Sequence, residues 1–406
     1  MIYLVGITVF TGVVFILVTI LLFIEARIVT RGDCRIVING DTEKSVTVSS
    51  GSTLLASLVN NSIFLPSACG GGGSCGQCRC RVDKGGGDIL PTELPHLSRK
   101  EKKENIRLAC QIKVRQDMEI RIPPEIFSIQ RYNATVISNS NVATFIKELD
   151  LSLDPGQELE FKAGAYMQID IPEYEVKFTE FNVEDRFNAA WEKFDLRKLQ
   201  SSSEETVNRA YSLASPPYEK GLLKFTIRLA TPPEDHPDAP PGVGSSYTFS
   251  LKPGDKVTLS GPYGDFFVKD TSREMCFIGG GAGMAPMRCH ILHQLNTVQT
   301  TRKMTFWYGA RSRQEMFYND EFQALDRKFD NFTYHVALSQ PQPEDNWTGL
   351  TGYIHQCLFD SYLRDHPDPT EIEYYLCGPP MMISSVMKML DTLGVEPDMI
   401  AFDDFG

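Results

Sequence analysis

Four cysteines fall within fifteen residues, PSACGGGGSCGQCRC (66 to 80), and a further one stands in RLACQ at position 110. Cys69, Cys75 and Cys78 are spaced C-x5-C-x2-C, a density of thiols that reads as metal ligation rather than as part of a disulfide framework. A structural zinc site more often pairs two C-x2-C knuckles, and here the second knuckle is missing. The fourth thiol, Cys110, is expected on a strand. Glycine narrows the choice. The sulfides of a [2Fe–2S] cluster carry negative charge and accept backbone N–H bonds. A backbone wrapped that tightly visits positive φ and leaves no room for Cβ atoms. Gly70 to Gly73 and Gly76 suit such a loop, so the pattern points to a [2Fe–2S] cluster, with zinc or a flexible glycine loop as alternatives. Cys80, on the outgoing strand, reads as a small buried side chain. Cys34, Cys276, Cys289 and Cys357 match no motif and read as core.

The loop resembles a [2Fe–2S] ferredoxin domain, with a five-residue first gap where the plant type has four. The resemblance implies Cys69, Cys75, Cys78 and Cys110 as the ligands. RAYSLAS, 209 to 215, resembles the R-x-Y-[ST] signature of the ferredoxin–NADP reductase superfamily. That resemblance implies Arg209 on the flavin pyrophosphate, a partner suited to a guanidinium fork. It also implies Tyr211 against the isoalloxazine or ribityl side, and Ser212 near N5. Gly242, Val243, Gly244 and Ser245 then read as the phosphate loop of the same family, offering N–H groups and a hydroxyl. IGGGAGMAP, 278 to 286, follows an expected strand and opens an expected helix. Gly280, Gly281 and Gly283 there would let a second pyrophosphate approach backbone N–H groups. CGPPM, 377 to 381, implies Cys377 beside the nicotinamide, with Gly378 and Pro379 shaping the pocket. The chain ends AFDDFG, and Phe405 is the aromatic that in this superfamily covers the flavin ring. The catalytic set implied is Ser212, Cys377 and Phe405.

These motifs need elements to carry them. The 406 residues exceed one core, and a formal charge of −12 without a basic block argues against nucleic acid as a partner. Residues Ile2 to Ile24 contain no charge. At about 1.5 Å per residue they reach roughly 35 Å, enough for a bilayer core of about 30 Å. No basic n-region or small-residue cleavage site marks a signal peptide. The expectation is one transmembrane helix over 1–26. Arg27, Arg31 and Arg35 follow it, which places the bulk of the chain on the cytoplasmic side. Residues 33–125 read as an α+β ferredoxin-type unit of the β-grasp kind. Residues 128–270 read as an antiparallel β-barrel for flavin. Residues 271–406 alternate strands and helices as a Rossmann-like parallel α/β nicotinamide domain. The charged, helix-like insert between Pro172 and Glu205 is too long for an ordinary strand connection and reads as a solvated loop, or alternatively as a docking surface.

The three modules agree chemically. Hydride transfer moves two electrons, a [2Fe–2S] cluster takes one, and a flavin between them converts one currency into the other. The expected order is NADH, FAD, cluster, then a one-electron acceptor. Helix, cysteine spacing, insert and DDFG end together resemble the F subunits of Na+-translocating NADH:quinone oxidoreductases. That implies a bacterial inner-membrane location, other membrane subunits as partners and quinone as the indirect acceptor. The alternative is the reductase component of a multicomponent oxygenase, serving a soluble partner.

Overall fold

Alternation of buried Cys34, Ile36 and Ile38 with the more exposed Asp33, Arg35 and Val37 makes β1 (Asp33–Ile38) a strand with one buried face. It pairs antiparallel with β2 (Asp41–Ser49) and parallel with β5 (Met118–Arg121), in a sheet ordered β2-β1-β5-β3-β4, where β3 is Arg79–Lys84 and β4 is Ile106–Leu108. Helix α1 (Leu54–Val59) begins where the Thr53 hydroxyl accepts from the Ala56 N–H, and it buries Leu54, Leu55 and Leu58 on this sheet. A short helix, α2 (Arg99–Lys103), opens with a Ser98–Glu101 capping box. One expectation needs correcting. Cys110 lies in the turn that follows the three-residue β4, not on a strand.

The computed structural model describes residues 10–19, 32–233 and 235–403, and the chain divides into two compact units, Met1–Ile129 and Gln130–Gly406. Residues 10–19 are helical and exposed all round. Among the described residues no helix is long and apolar enough to cross a membrane. The rest of the 2–24 run lies outside the described residues, as does Phe405.

The second unit holds two six-stranded sheets. The first runs β11-β8-β13-β6-β7-β12. Its members are β6 (Gln130–Ala143), β7 (Ile146–Leu153), β8 (Tyr166–Ile171), β11 (Val207–Ser212), β12 (Leu222–Arg228) and β13 (Lys256–Tyr263), all antiparallel to their neighbours. Its two edge strands approach at one bridge, Leu213 to Phe225. The insert is not a solvated loop. It folds as a hairpin of β9 (Tyr174–Lys177) and β10 (Gln200–Ser203) with helix α3 (Asp185–Lys193), around Phe178, Phe181, Phe187 and Trp191. Its charges mislead because they occupy the outer face, while Phe187 and Trp191, four apart on α3, are both 0% exposed. Helix α4 (Val243–Ser250) closes this part.

The second sheet is wholly parallel, ordered β17-β16-β15-β14-β18-β19. Its strands are β14 (Met275–Gly280), β15 (Met304–Ala310), β16 (Phe332–Leu338), β17 (Leu350–Thr351), β18 (Glu373–Cys377) and β19 (Ile400–Asp403). Helices α5 (Met284–His293), α6 (Asn319–Lys328), α7 (Ile354–Ser361) and α8 (Pro380–Thr392) connect them. The chain winds outward from β14 to β17, then returns to the other side of β14 for β18 and β19. The order therefore reverses at β14, and a crevice at such a switch point is where ligands of open α/β sheets bind.

Candidate functional site

The cysteines come in two pairs. Cys69 and Cys75 Sγ lie 3.3 Å apart. The Cys75 thiol and the backbone N–H groups of Cys75, Ser74 and Gly73 hold Cys69 down to about 3, against the opposing effect of burial. Cys78 and Cys110 form the second pair, in which the Cys78 thiol, then the Gln111 amide, pulls Cys110 down to about 7. Gln111 Nε2 donates to Cys110 Sγ at 3.4 Å, and Thr92 Oγ1 holds the same amide at 2.8 Å. Among the described residues no three Cys, His, Asp or Glu side chains gather as a single metal ion needs. Two pairs suit a binuclear cluster better than one zinc. The backbone fits too: Gly70, Gly71, Gly73 and Gly76 all have positive φ, between 63° and 92°. Cys80 faces the core beside Val82, where burial pushes its thiol up to about 12, as a structural cysteine. Cys34, Cys276, Cys289 and Cys357 are likewise buried.

Strand β11 carries the flavin motif. Its period of two puts Val207, Arg209 and Tyr211 on one face and Ser212 on the other. Gly242 to Ser245 form no loop but the N-cap and first turn of α4, whose free N–H groups make an anion site. A Cβ on Gly244 would sit 2.6 Å from Arg209 Cγ and 2.8 Å from the Tyr211 hydroxyl, so only glycine lets this helix meet that strand. The Ser245 hydroxyl accepts from the Ala230 N–H and donates to the Gly242 carbonyl, both at 3.0 Å, which braces the turn. Tyr174, hidden in the insert and missed in the sequence, donates to the Val243 carbonyl at 2.6 Å and meets Ser201 Oγ at 2.8 Å.

The nicotinamide motifs interlock at the switch point. Gly280 ends β14, Gly281 to Gly283 turn, and α5 begins at Met284. A Cβ on Gly283 would lie 2.1 Å from the Cys377 carbonyl oxygen, and one on Gly378 would lie 3.0 Å from the Gly280 carbonyl oxygen. Cys377, fully buried, ends β18, and Pro379 caps α8. The flavin sheet reaches this crevice through three ties. Ser212 Oγ donates to Asp403 Oδ2 at 2.9 Å, and Asp403 stands beside Cys377 in the β18–β19 register. Thr226 Oγ1 donates to the Ala282 carbonyl at 3.0 Å. Arg288 Nη1 donates to the Ala214 carbonyl at 2.9 Å while its fork grips Glu321 at 2.7 and 2.8 Å. Asp403 and Arg288 were not singled out in the sequence. The acid beside an aromatic in DDFG was the one available signal.

Three family models match the chain: a 2Fe-2S iron-sulfur cluster binding domain over 36–115, an oxidoreductase FAD-binding domain over 194–268 and an oxidoreductase NAD-binding domain over 277–388. The cofactors are thus a [2Fe–2S] cluster and FAD, with NADH as substrate. Among solved structures, the Amycolatopsis cytochrome P450 reductase GcoB superposes with a TM-score of 0.65 at 22% identity, covering 92% of this chain and 98% of that one. A ferredoxin reductase in carbazole 1,9a-dioxygenase follows at 0.60 and 24%, covering 93% and 99%. These establish the fold alone. Sequence separates this chain from them. It is 54% identical to the F subunit of the Na(+)-translocating NADH-quinone reductase of Serratia proteamaculans, and 53% identical to that of Neisseria meningitidis, over 99% of this chain and 98% of each relative. With identity of that order running from end to end, through all three cofactor modules, the chain belongs to the family of F subunits of the Na+-translocating NADH-quinone reductases.

Proposed function

We propose that this chain is the electron-input subunit of a sodium-pumping respiratory complex. It oxidises NADH with FAD and delivers electrons singly, through its [2Fe–2S] cluster, to downstream flavins and quinone. The observation that carries the reading is the Ser212–Asp403 contact beside Cys377, which brings the flavin strand and the nicotinamide crevice to one point. Bound FAD supplies the conversion between two-electron and one-electron chemistry.

The chain's own groups have defined tasks. Arg209 and the first turn of α4, Gly242 to Ser245, hold the flavin pyrophosphate. Tyr211 flanks the ring system, and Ser212 is oriented by Asp403. Gly280, Gly281 and Gly283 admit the dinucleotide phosphates to the N-terminus of α5, while Cys377, Gly378 and Pro379 shape the nicotinamide pocket and Phe405 covers the ring. Cys69 with Cys75, and Cys78 with Cys110, would hold the cluster and supply its thiolate ligands. The modules are residues 1–26, 33–125, 128–270 and 271–406. The bridge between its edge strands, Leu213 to Phe225, supports a barrel form for the flavin sheet. Residues 2–24 form a single-pass anchor in a bacterial inner membrane with the bulk of the chain on the cytoplasmic side. The exposed, apolar helical turns at 10–19 support this, since a helix apolar all round wants an apolar surrounding. Partners are the other membrane subunits of the complex.

An anaerobic NADH titration of the complex, followed by visible and EPR spectra, tests the reading. Flavin absorbance should bleach and a reduced [2Fe–2S] signal should appear, with membrane subunits co-purifying. Bleaching without the EPR signal would refute the electron path. A soluble oxygenase as the acceptor, with no membrane partner, would favour the alternative.

A further inference from the structure

We propose that the turn beside the cysteine loop and the short basic helix α2 form one docking surface, where an acidic face of a separate protein, the next electron carrier, seats to take the electron from the cluster. This rests on the electron path proposed above and names the place where it leaves the ferredoxin-type unit. The stretch ILPTELPHLS (89–98) sets Leu90-Pro91 and Leu94-Pro95 four residues apart. Leu90 is 41% exposed and Leu94 46%, and they are the two large apolar side chains exposed among the described residues 33–125. A lone exposed leucine is ordinary, but these two share one turn, and the turn is pinned. Glu93, between them, is fully buried. Its carboxylate accepts from the Leu90 and Leu108 N–H groups at 2.8 and 3.0 Å and from the Arg107 fork. The acid of this turn is thus inside and its leucines are outside, the reverse of what burial alone selects.

The same turn reaches the cluster ligands from two directions. Thr92 Oγ1 holds the Gln111 amide, which donates to Cys110 Sγ. The His96 side chain packs on Gly76, between Cys75 and Cys78, so closely that a Cβ there would lie 3.0 Å from it. Arg79, next to Cys78, donates to the His96 carbonyl at 2.7 Å. A protein seated on Leu90 and Leu94 therefore stands beside groups that contact the thiols.

Cations flank the apolar pair. Helix α2 reads RKEKK, and Lys102 Nζ donates to the Leu94 carbonyl at 3.3 Å, which ties helix to turn. Arg99 and Lys103 are exposed and, among the described residues, carry no ion pair. Four cations in five residues run against a chain whose formal charge is −12. An apolar centre with a charged rim is the anatomy of a protein interface, and the sign of the rim makes the partner's face acidic. The flavin donor belongs to this same chain and meets the cluster at the effective concentration of a tether. Steering by charge serves the meeting with a separate protein. An anionic bilayer would attract the same cations, but leucines set against the cluster ligands favour a protein that carries a redox group.

The test uses the purified complex with all its subunits. Arg99→Glu with Lys103→Glu reverses two exposed charges, and Leu94→Ser removes an exposed apolar side chain. Flavin bleaching by NADH, and the rate at which the reduced-cluster EPR signal appears, should stay as in the unaltered complex. Quinone reduction should fall by about tenfold or more in the charge-reversed variant and severalfold in Leu94→Ser, with the cluster held reduced in the steady state. The charge-reversed variant should also lose the decline in rate that added salt causes in the unaltered complex. Unchanged quinone reduction in both variants would overturn the proposal. Slower reduction of the cluster by NADH would also overturn it, by assigning the surface to electron input. So would loss of binding to phosphatidylglycerol–phosphatidylethanolamine vesicles with quinone reduction intact, which would assign the surface to lipid. Absence of the cluster signal when NADH is added to the unaltered complex would instead refute the electron path itself.

Discussion

Asp403 should govern the reactivity of the flavin site through Ser212. The Ser212 hydroxyl, in a residue only 6% exposed, donates to the Asp403 carboxylate at 2.9 Å. A hydrogen bond to a charged group contributes about 1.5–3 kcal/mol. At about 1.4 kcal/mol per factor of ten, its loss corresponds to a slowing of roughly ten- to a hundredfold if the bond holds Ser212 in its reactive orientation. Asp403→Asn keeps the shape and removes the charge, while Ser212→Ala removes the donor. The assay is anaerobic stopped-flow bleaching of flavin absorbance on mixing FAD-replete protein with NADH. Each single variant should slow the bleaching by about tenfold or more, and the double variant should be no slower than Ser212→Ala alone. Two residues that act as one unit give such non-additive effects, whereas independent ones multiply. Single effects that multiply in the double variant would refute the coupling, and an unchanged rate in Asp403→Asn would remove Asp403 from the site.

In the ferredoxin-type unit, buried Arg107 pairs with Glu93 at 2.7 Å and binds the carbonyls of Gly86, Gly87 and Asp88, so Arg107→Met, which leaves the Glu93 carboxylate buried without its partner, should destabilise this unit by about 3–5 kcal/mol and lower its iron content, measured by thermal melting and iron assay. Burial holds Lys147 down to about 8, and its ammonium, 1% exposed, donates to the Phe249 carbonyl. An unfolded lysine titrates near 10.5, so between pH 8 and 10.5 the unfolded chain binds more protons and stability rises by about 3 kcal/mol; denaturant midpoints of Lys147→Met should lack that rise. Phe405→Ala should strengthen the nicotinamide–flavin charge-transfer band and relax discrimination between NADH and NADPH, because an aromatic pair is worth about 0.5–1.5 kcal/mol that an incoming nicotinamide would otherwise displace; unchanged spectra and affinities would make it a packed terminal residue.

Local patterns were legible and long-range contacts were not. Alternation in CRIVI and KSVTV reports buried strand faces because a strand's period is two whatever it packs against. The Cys69-x5-Cys75-x2-Cys78 loop was legible because its glycines answer a local backbone need. Cys110 was placed on a strand because β-branched neighbours in RLACQIKV suggest one, yet β4 stops at Leu108 and the thiol sits in the turn. The insert's helical character is legible, but its charge count conceals the core that Phe187 and Trp191 build on one helical face. Strands β17 and β19 were missed, being two and four residues long. The bond between Ser212 and Asp403 joins residues 191 apart and exists only because the sheet order reverses at β14.

That reversal explains how two sheets with separate ligands act as one site. Returning past β14 brings β18 and β19 beside the strand that ends in Gly280, so Cys377, Gly378 and Asp403 arrive next to the phosphate turn. Glycines at 280, 283 and 378 then let backbone touch backbone, where any side chain would force the crevice apart. Of the three ties at the crevice, two run to main-chain carbonyls, from Thr226 and Arg288, while away from it Tyr318 donates to Glu148 of β7. The third joins two side chains, and its acceptor lies in register with Cys377. The Asp403 carboxylate thus stands between Cys377 and Ser212, and the Asp403 substitution tests electrostatic control of the flavin apart from the docking of the two sheets.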